Sequence, residues 1–296
     1  MSILVDQNTR VLISGITGRE GQVAARLMLN YGTKVVAGTN PGREGEIVEG
    51  VPVYNSMKAA IKNLVVDAAL IYVPPAGAAD SIVEAVEAGI QLIIVITERI
   101  PMHEACEALA VAREAGVVVI GPNSLGLISP GKAKIGTIGG AKEGRCYAAG
   151  PVGVISRSGG MTTETSWMVK KAGFGCSTSI SAGGDYLIGA SFADLALLFE
   201  ADAETKVLVL FCEPGTSYEE ELAEAVENGS IRKPVIAYVA GSFLSQINSQ
   251  AKFGHAGAIL EKGCSTDEIK RRLRKAGVCV AEEYDDIIPL VQQALA

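Results

Sequence analysis

Aromatic residues make up only 5% of this 296-residue chain, which disfavours a surface of stacking platforms for nucleic-acid bases. Two histidines occur, His103 and His255, too few for a multi-histidine metal centre, and no metal site is expected. The six cysteines, Cys106, Cys146, Cys176, Cys212, Cys264 and Cys279, show no C-x-x-C spacing. Neither a zinc site nor a disulfide framework follows, and most read as small buried hydrophobes. Positive charge is also in short supply: 26 Lys and Arg against 33 Asp and Glu leave a net charge of −7. No nucleic-acid or anionic-membrane partner is expected, and any phosphate site must be local. The longest apolar runs, residues 91–97 and 116–120, fall far short of the roughly 20 residues of a membrane span. The first residues, Met-Ser-Ile-Leu-Val-Asp-Gln-Asn, lack a basic stretch followed by a long apolar one, so a cytoplasmic location is expected.

Glycine is plentiful, at 34 residues, and apolar residues reach 48% against 20% charged, an ordinary globular balance. The length favours two domains. Short β-branched runs alternate with longer amphipathic stretches, the pattern of βαβ units feeding a parallel sheet. Strands are predicted at 10–15, 34–38, 69–73, 92–97 and 117–121, with helices at 22–30, 80–88 and 102–115. Gly32, Gly89 and Gly116 sit where helix C-terminal caps belong. Residues 127–150 lose this rhythm and read as a connecting segment. The alternation resumes with strands at 152–156, 177–181, 206–212, 234–240 and 278–281 and helices at 163–171, 192–200, 219–228, 266–275 and 285–295. The fold class is α/β, with two doubly wound domains at 1–126 and 151–296. Ligands in such sheets bind beyond the carboxyl ends of the strands.

The first such turn reads Gly15-Ile16-Thr17-Gly18-Arg19-Glu20-Gly21 and leads into a helix, a setting in which backbone N–H groups hold phosphate. The spacing is G-x-x-G-x-x-G, not the G-x-G-x-x-G of dinucleotide sites. No acidic residue for a ribose follows at Gly38 to Arg43. Arg43 offers a positive fork for a further phosphate, which favours a phosphorylated nucleotide such as coenzyme A over NAD. The alternative is a plain tight turn in a βα unit. Residues 126–132 spell G-x-x-x-x-G-K, yet position 133 is Ala and no helix pattern follows, so an ATP loop is rejected there.

In the second half, Lys252-Phe253-Gly254-His255-Ala256-Gly257 surrounds one histidine with residues almost lacking side chains. Something large must approach the ring, which makes His255 a candidate nucleophile or proton carrier, with a structural turn as the alternative. His103, near Glu104 and Glu107 on a helix, reads as solvated. Ser156-Arg157-Ser158-Gly159-Gly160 follows a strand and opens a helix, an anion cradle or a plain Ser cap. Glu213, at a strand end, is placed to fix a histidine tautomer or to serve a structural pairing. Ser158, Asp185 or Glu213, and His255 also stand in the chain order of an α/β-hydrolase triad, but Ser156 replaces the first glycine of the G-x-S-x-G elbow.

Gly-His-Ala-Gly-Ala-Ile, Ser-Arg-Ser-Gly, Ala182 to Asp185, Gly121 to Asn123, Tyr72 to Pro74, Ile96 to Glu98 and Gly-Ile-Thr-Gly together resemble the α subunit of succinyl-CoA synthetase, nearly end to end and in order. The resemblance implies an N-terminal CoA-binding Rossmann-like domain and a C-terminal flavodoxin-like domain carrying a phosphohistidine. It implies a partner β subunit with an ATP-grasp domain that binds ATP or GTP with Mg2+, in an αβ or α2β2 assembly. By it, His255 is phosphorylated and passes the phosphoryl group to a small carboxylic acid, and the CoA thiol attacks the acyl phosphate. Glu213 orients His255, and Ser158, Gly159 and Gly160 hold the phosphoryl group. Gly15, Thr17, Gly18, Arg19, Glu20, Arg43, Tyr72, Pro74, Ile96, Thr97, Glu98 and Asn123 contact coenzyme A. Where the family has Ser-Gly-Thr-Leu-Thr-Tyr-Glu, this chain has Ser158-Gly159-Gly160-Met161-Thr162-Thr163-Glu164, so Thr163 replaces a tyrosine beside the acid. Glu213-Pro214-Gly215-Thr216 and Ser124-Leu125 depart as well. The Ser-Gly-x-Met stretch and residues 249–257 lean toward the corresponding part of ATP-citrate lyase. Succinate is the expected acid, with citrate or malate as competitors and a non-catalytic CoA-binding regulator as the remaining alternative.

Overall fold

A computed structural model describes residues 3–242 and 265–296. The chain divides into two compact units, one formed by 4–143 with 187–189 and the other by 144–186 with 190–296.

The first unit contains β1 (Arg10–Ser14), α1 (Arg19–Tyr31), β2 (Lys34–Thr39), β3 (Ile47–Val48), β4 (Val51–Tyr54), α2 (Met57–Ile61), β5 (Ala68–Ile71), α3 (Pro75–Glu87), β6 (Leu92–Val95), α4 (Met102–Glu114) and β7 (Val118–Ile120). The strand order is β3-β4-β2-β1-β5-β6-β7, parallel throughout except for the β3–β4 pair. All residues of β5 and β6 are buried, as strands covered by helices on both faces must be. Leu12, Ile71, Ile93, Ile82 and Ala108 join strands and helices in one core. The order reverses between β1 and β5, and this switch point opens a crevice at the carboxyl ends of the strands.

The stretch 127–150, read from the sequence as a connection, instead holds a buried antiparallel hairpin, β8 (Gly126–Ser129) and β9 (Ala133–Gly136). Residues 130–132 form its turn, closed by Lys132 N–H donating to the Ser129 carbonyl at 2.9 Å, so the G-x-x-x-x-G-K string is a hairpin and not a phosphate loop. Thr33, just after α1, accepts from Lys134 N–H at 3.1 Å and donates to its carbonyl at 2.8 Å. The Lys134 side chain is fully buried, donates to the Gly140 carbonyl at 2.5 Å and lies 3.6 Å from Glu143. Burial holds its pKa below the usual lysine range. A buried lysine in a four-residue strand defeats the alternation on which strand prediction depends.

The second unit contains β10 (Ala149–Ser156), α5 (Gly159–Lys171), β11 (Cys176–Ser181), α6 (Phe192–Ala201), β12 (Val207–Cys212), α7 (Tyr218–Glu227), β13 (Val235–Val239), α8 (Thr266–Ala276), β14 (Cys279–Ala281) and α9 (Ile287–Leu295). Its five parallel strands run β14-β13-β12-β10-β11, the flavodoxin-like order, with the switch between β10 and β12. Val152, Val154, Val209, Ile236 and Val291 build the core beneath α9 and α5. Ser191 with Asp194, and Ser265 with Glu268, form capping boxes that start α6 and α8.

Helices α1, α3 and α5 begin at Arg19, Pro75 and Gly159, earlier than the predicted 22, 80 and 163. Glycine and proline in a first turn mask a helix start, although Pro75 at the first helical position is well suited to it. The expectation for the cysteines needs correction: Cys176 and Cys212 are buried, Cys146 is half-buried, Cys106 and Cys279 are exposed, and Cys264 lies outside the described residues. The two exposed ones lie on the outer part of α4 and on edge strand β14. Among the described residues no helix is long and apolar enough to cross a membrane, and no cluster of three His, Cys, Asp or Glu could hold a metal ion.

Candidate active site

In the first unit, Gly15 N–H donates to the Thr39 carbonyl and Tyr72 N–H to the Ser14 carbonyl, each at 2.9 Å, so the turns after β1, β2 and β5 meet at one edge. Gly15 has φ of +83°, and a Cβ there would lie 3.0 Å from the Tyr72 carbonyl oxygen. A Cβ on Gly21 would lie 2.3 Å from the Gly15 carbonyl oxygen. Both glycines are therefore demanded by the chain's approach to itself. Gly18 is the N-cap of α1 and makes no side-chain cap bond. The first-turn N–H groups of α1 lack partners within the helix and carry the positive end of its dipole.

These turns border a cleft of about 830 Å³ lined by Gly15, Thr17, Gly18, Arg19, Glu20, Tyr72 and Pro74. Asn40, Asn55, Asp80 and Glu84 line it as well, and the sequence did not single them out. Asn40 hydrogen-bonds the Thr17 hydroxyl, and Gln22 donates to the Thr17 carbonyl at 2.9 Å, so Thr17 is held from both sides. A polar residue directly after β2 was the available signal for Asn40. The Tyr72 phenol is 3.5 Å from the Thr137 hydroxyl, and burial pushes its pKa up to about 12, leaving it neutral. A cleft of this size with backbone donors of a helix N-terminus at its wall fits a phosphorylated nucleotide.

The other predicted contacts lie apart from this cleft lining. Arg43, about half exposed, pairs with Glu46 at 2.9 Å. Thr97 donates to the Val73 carbonyl at 2.7 Å, and Asn123 N–H donates to the Thr97 carbonyl at 3.0 Å, joining the turns after β5, β6 and β7. Ile96 N–H donates to the Ile71 carbonyl at 3.1 Å, while Glu98 is exposed beside Arg99. Asn123 adopts φ of +58°.

In the second unit Ser156 of β10 pairs with Phe211 of β12, so Ser158 and Glu213 leave adjacent strand ends at the switch point. Ser158 caps α5: its Oγ accepts from Met161 N–H at 3.3 Å, and its own N–H donates to Ser156 Oγ at 3.1 Å. Gly159 and Gly160 then occupy the first helical positions, where backbone donors have no intrahelical partner. Gly160 is exposed, and a Cβ there would meet nothing nearer than Ser158 Oγ at 3.8 Å. Glu213 is buried, at 8% exposure.

Arg157, which the sequence passed over, is fully buried. It donates to the carbonyls of Gly183 at 3.3 Å, Gly184 at 3.4 Å and Asp185 at 2.6 Å, and reaches the Thr216 hydroxyl at 3.5 Å. Its guanidinium lies 5.8 Å from the centre of the Tyr218 ring. Arg157 thus ties together the loops after β10, β11 and β12. Thr163 lies in α5 just beyond the glycines, 2.9 Å from the buried Tyr147 hydroxyl, and donates to the Gly159 carbonyl at 3.4 Å. Burial raises the Tyr147 pKa, so this pair is neutral. His255 lies outside the described residues. His103 is exposed, 3.5 Å from Glu107, a solvated position as expected.

Residues 6–99 match the CoA binding domain family, and residues 149–294 match the succinyl-CoA ligase like flavodoxin domain. The chain is 43% identical over 296 residues to the succinate–CoA ligase [ADP-forming] subunit alpha 2 of Archaeoglobus fulgidus, covering 100% of both. It is 40% identical over 294 residues to the ADP-forming sulfoacetate-CoA ligase subunit SqwL of an Acholeplasma species, covering 99% and 98%. The structure of ATP citrate lyase from Methanothrix soehngenii in complex with citrate and coenzyme A matches with a TM-score of 0.90 at 26% identity, over 98% of this chain and 50% of that one. The chain spans half of that larger protein. It belongs to the α-subunit family of ADP-forming CoA ligases, and so to the acid–thiol ligases.

Proposed function

We propose that the chain is the α subunit of a phosphohistidine-dependent acid:CoA ligase working with a separate ATP-grasp β subunit. His255 takes the terminal phosphoryl group of a nucleoside triphosphate, held with Mg2+ on the partner, and the nucleoside diphosphate leaves. The imidazole then passes the phosphoryl group to a carboxylate oxygen, forming an acyl phosphate. Attack by the thiol of coenzyme A at the acyl carbon displaces phosphate and forms the thioester. Three transfers replace one difficult condensation. The observation that carries this reading is the convergence of a Ser158-capped, glycine-led helix start and buried Glu213 at the switch point of the second domain. Backbone donors of Gly159 and Gly160 would stabilise charge on the transferring group, and Ser158 holds that turn in shape. Glu213 would fix the tautomer of His255. The first-domain cleft, with Thr17, Gly18, Arg19, Glu20 and Tyr72, would bind coenzyme A, and Arg43, Ile96, Thr97, Glu98 and Asn123, which lie outside the cleft lining, would contact it as well.

Succinate is the leading acid. Thr163, smaller than tyrosine and already engaged with Tyr147, favours a wider pocket, so a bulkier or differently charged acid is the second reading. The relatives named for sulfoacetate and for citrate support such breadth within the family. A cytoplasmic location and an αβ or α2β2 assembly complete the reading. Incubation with γ-labelled ATP and the cognate β subunit should give acid-labile, base-stable label that His255→Asn abolishes. Label that survives in His255→Asn, or CoA binding with no thioester from any acid tried, would refute it. A screen of succinate, malate, citrate, itaconate and sulfoacetate then selects the substrate.

A further inference from the structure

Helix α7 opens with three glutamates that have different surroundings. Glu220 pairs with Arg272 at 2.7 Å, and Glu221 accepts from Ser217 Oγ at 2.9 Å. Glu219 turns inward, with 3% exposure, and both of its carboxylate oxygens are buried without a hydrogen bond from any other described residue, leaving only its own backbone N–H to face them. Native proteins rarely leave a buried carboxylate unbonded, and one so placed is held as the neutral acid. It interacts electrostatically with two other buried groups at the switch point, Arg157 and Glu213. Among the described residues the hydrogen bonds of Arg157 go to backbone carbonyls and a hydroxyl.

We propose that Glu219 is a positioning residue that sets the charge around the Ser158–Gly160 turn: as the neutral acid it adds no charge beside Arg157 and Glu213, and on ionising it adds a negative one and weakens the turn's hold on a phosphoryl-sized anion. This rests on reading that turn as the phosphoryl seat. Desolvation brings the Glu219 pKa up to about 7, which places its ionisation where cells operate. Other titratable groups pack around α7. Burial drives the Cys212 thiol well above its ordinary range. Packed against α7 from α8, Arg272 is held by Glu220 and Glu227, and Lys270 by Glu282 and Ser242. On the α6 side, Asp194 accepts from Ser191 N–H, and Glu200 from the Arg232 and Lys233 N–H groups.

The test uses inorganic sulfate, whose charge is constant in this range, titrated calorimetrically into the α–β complex saturated with coenzyme A. A His255→Asn background removes imidazole titration. From about pH 6 to about pH 8 the affinity for sulfate should fall roughly five- to tenfold, and Glu219→Gln should hold it near its acidic value throughout. Glu219→Met, of similar volume and equally uncharged, should do the same and serves if the glutamine variant fails to fold. An equal fall in the variants, or no fall in the parent, overturns the inference and leaves the phosphoryl seat standing. Absence of sulfate binding at every pH, together with no phosphorylation of the His255 protein, overturns the seat and this inference with it.

Discussion

The two glycine-rich turns look alike in sequence, each following a strand and opening a helix at a switch point, but their glycines answer different needs. In the first, Gly15 and Gly21 have no room for a side chain because the chain's own backbone occupies the space, as close as 2.3 Å. In the second, Gly160 is exposed, and among the described residues a Cβ there would meet nothing nearer than Ser158 Oγ at 3.8 Å. There the turn is held by side chains instead: Ser158 as cap, Ser156 beneath it and the buried Arg157 clamp. A glycine required by packing builds the turn, whereas at Gly160 no described residue demands a glycine.

The largest expected effect on stability tests the first half of that contrast. Gly21→Ala should lower stability by about 3 to 4 kcal/mol in urea unfolding and abolish coenzyme A binding, because backbone cannot move aside as a flexible side chain can. If Gly21→Ala were tolerated, the distinction would fail. Arg157→Met should cost about 3 kcal/mol, since three carbonyls lose a charged donor in the interior. Arg157→Lys should recover only part of it, because a lysine cannot bridge the same set of acceptors. Glu219→Gln should change stability in a pH-dependent way. The folded protein keeps the Glu219 proton up to about pH 7, while the unfolded chain releases it near 4.5. Stability therefore falls as pH rises through that window, by about 3 kcal/mol, and is flat above it. The variant should lose this fall, leaving it the more stable protein at about pH 8 relative to its standing at about pH 5. Gly160→Ala should alter stability by no more than about 0.5 kcal/mol, with the helix start tolerating the added methyl. Phosphorylation of His255 should nevertheless drop by about tenfold or more. A large stability loss in this variant would place Gly160 with Gly21 and erase the comparison.

Much of the framework was legible in the chain. Apolar runs such as Leu92–Val95 and Val207–Cys212 reveal strands because a strand buried on both faces needs no polar alternation. The turns after them were legible because glycine and hydroxyl residues at a helix start have local causes. Lys134 and Arg157 were not legible, since a charged side chain reads as exposed until the acceptors that bury it are known. Those of Arg157 come from residues 183–185, distant in sequence. Glu219 sits in an acidic run that reads as a solvated face, and only packing separates it from its two neighbours.

By itself the sequence determined that this is an α/β protein of alternating strands and helices, with glycine-rich turns between strand and helix at two strand ends. Those features follow from periodicity and from the steric needs of single residues, which act over a few positions. Tertiary structure alone decided which strands became neighbours, where the two switch points opened, and which glycines, lysine, arginine and glutamate came to be enclosed. Strand order and burial arise from contacts between residues far apart in the chain, whose free energies no local pattern contains.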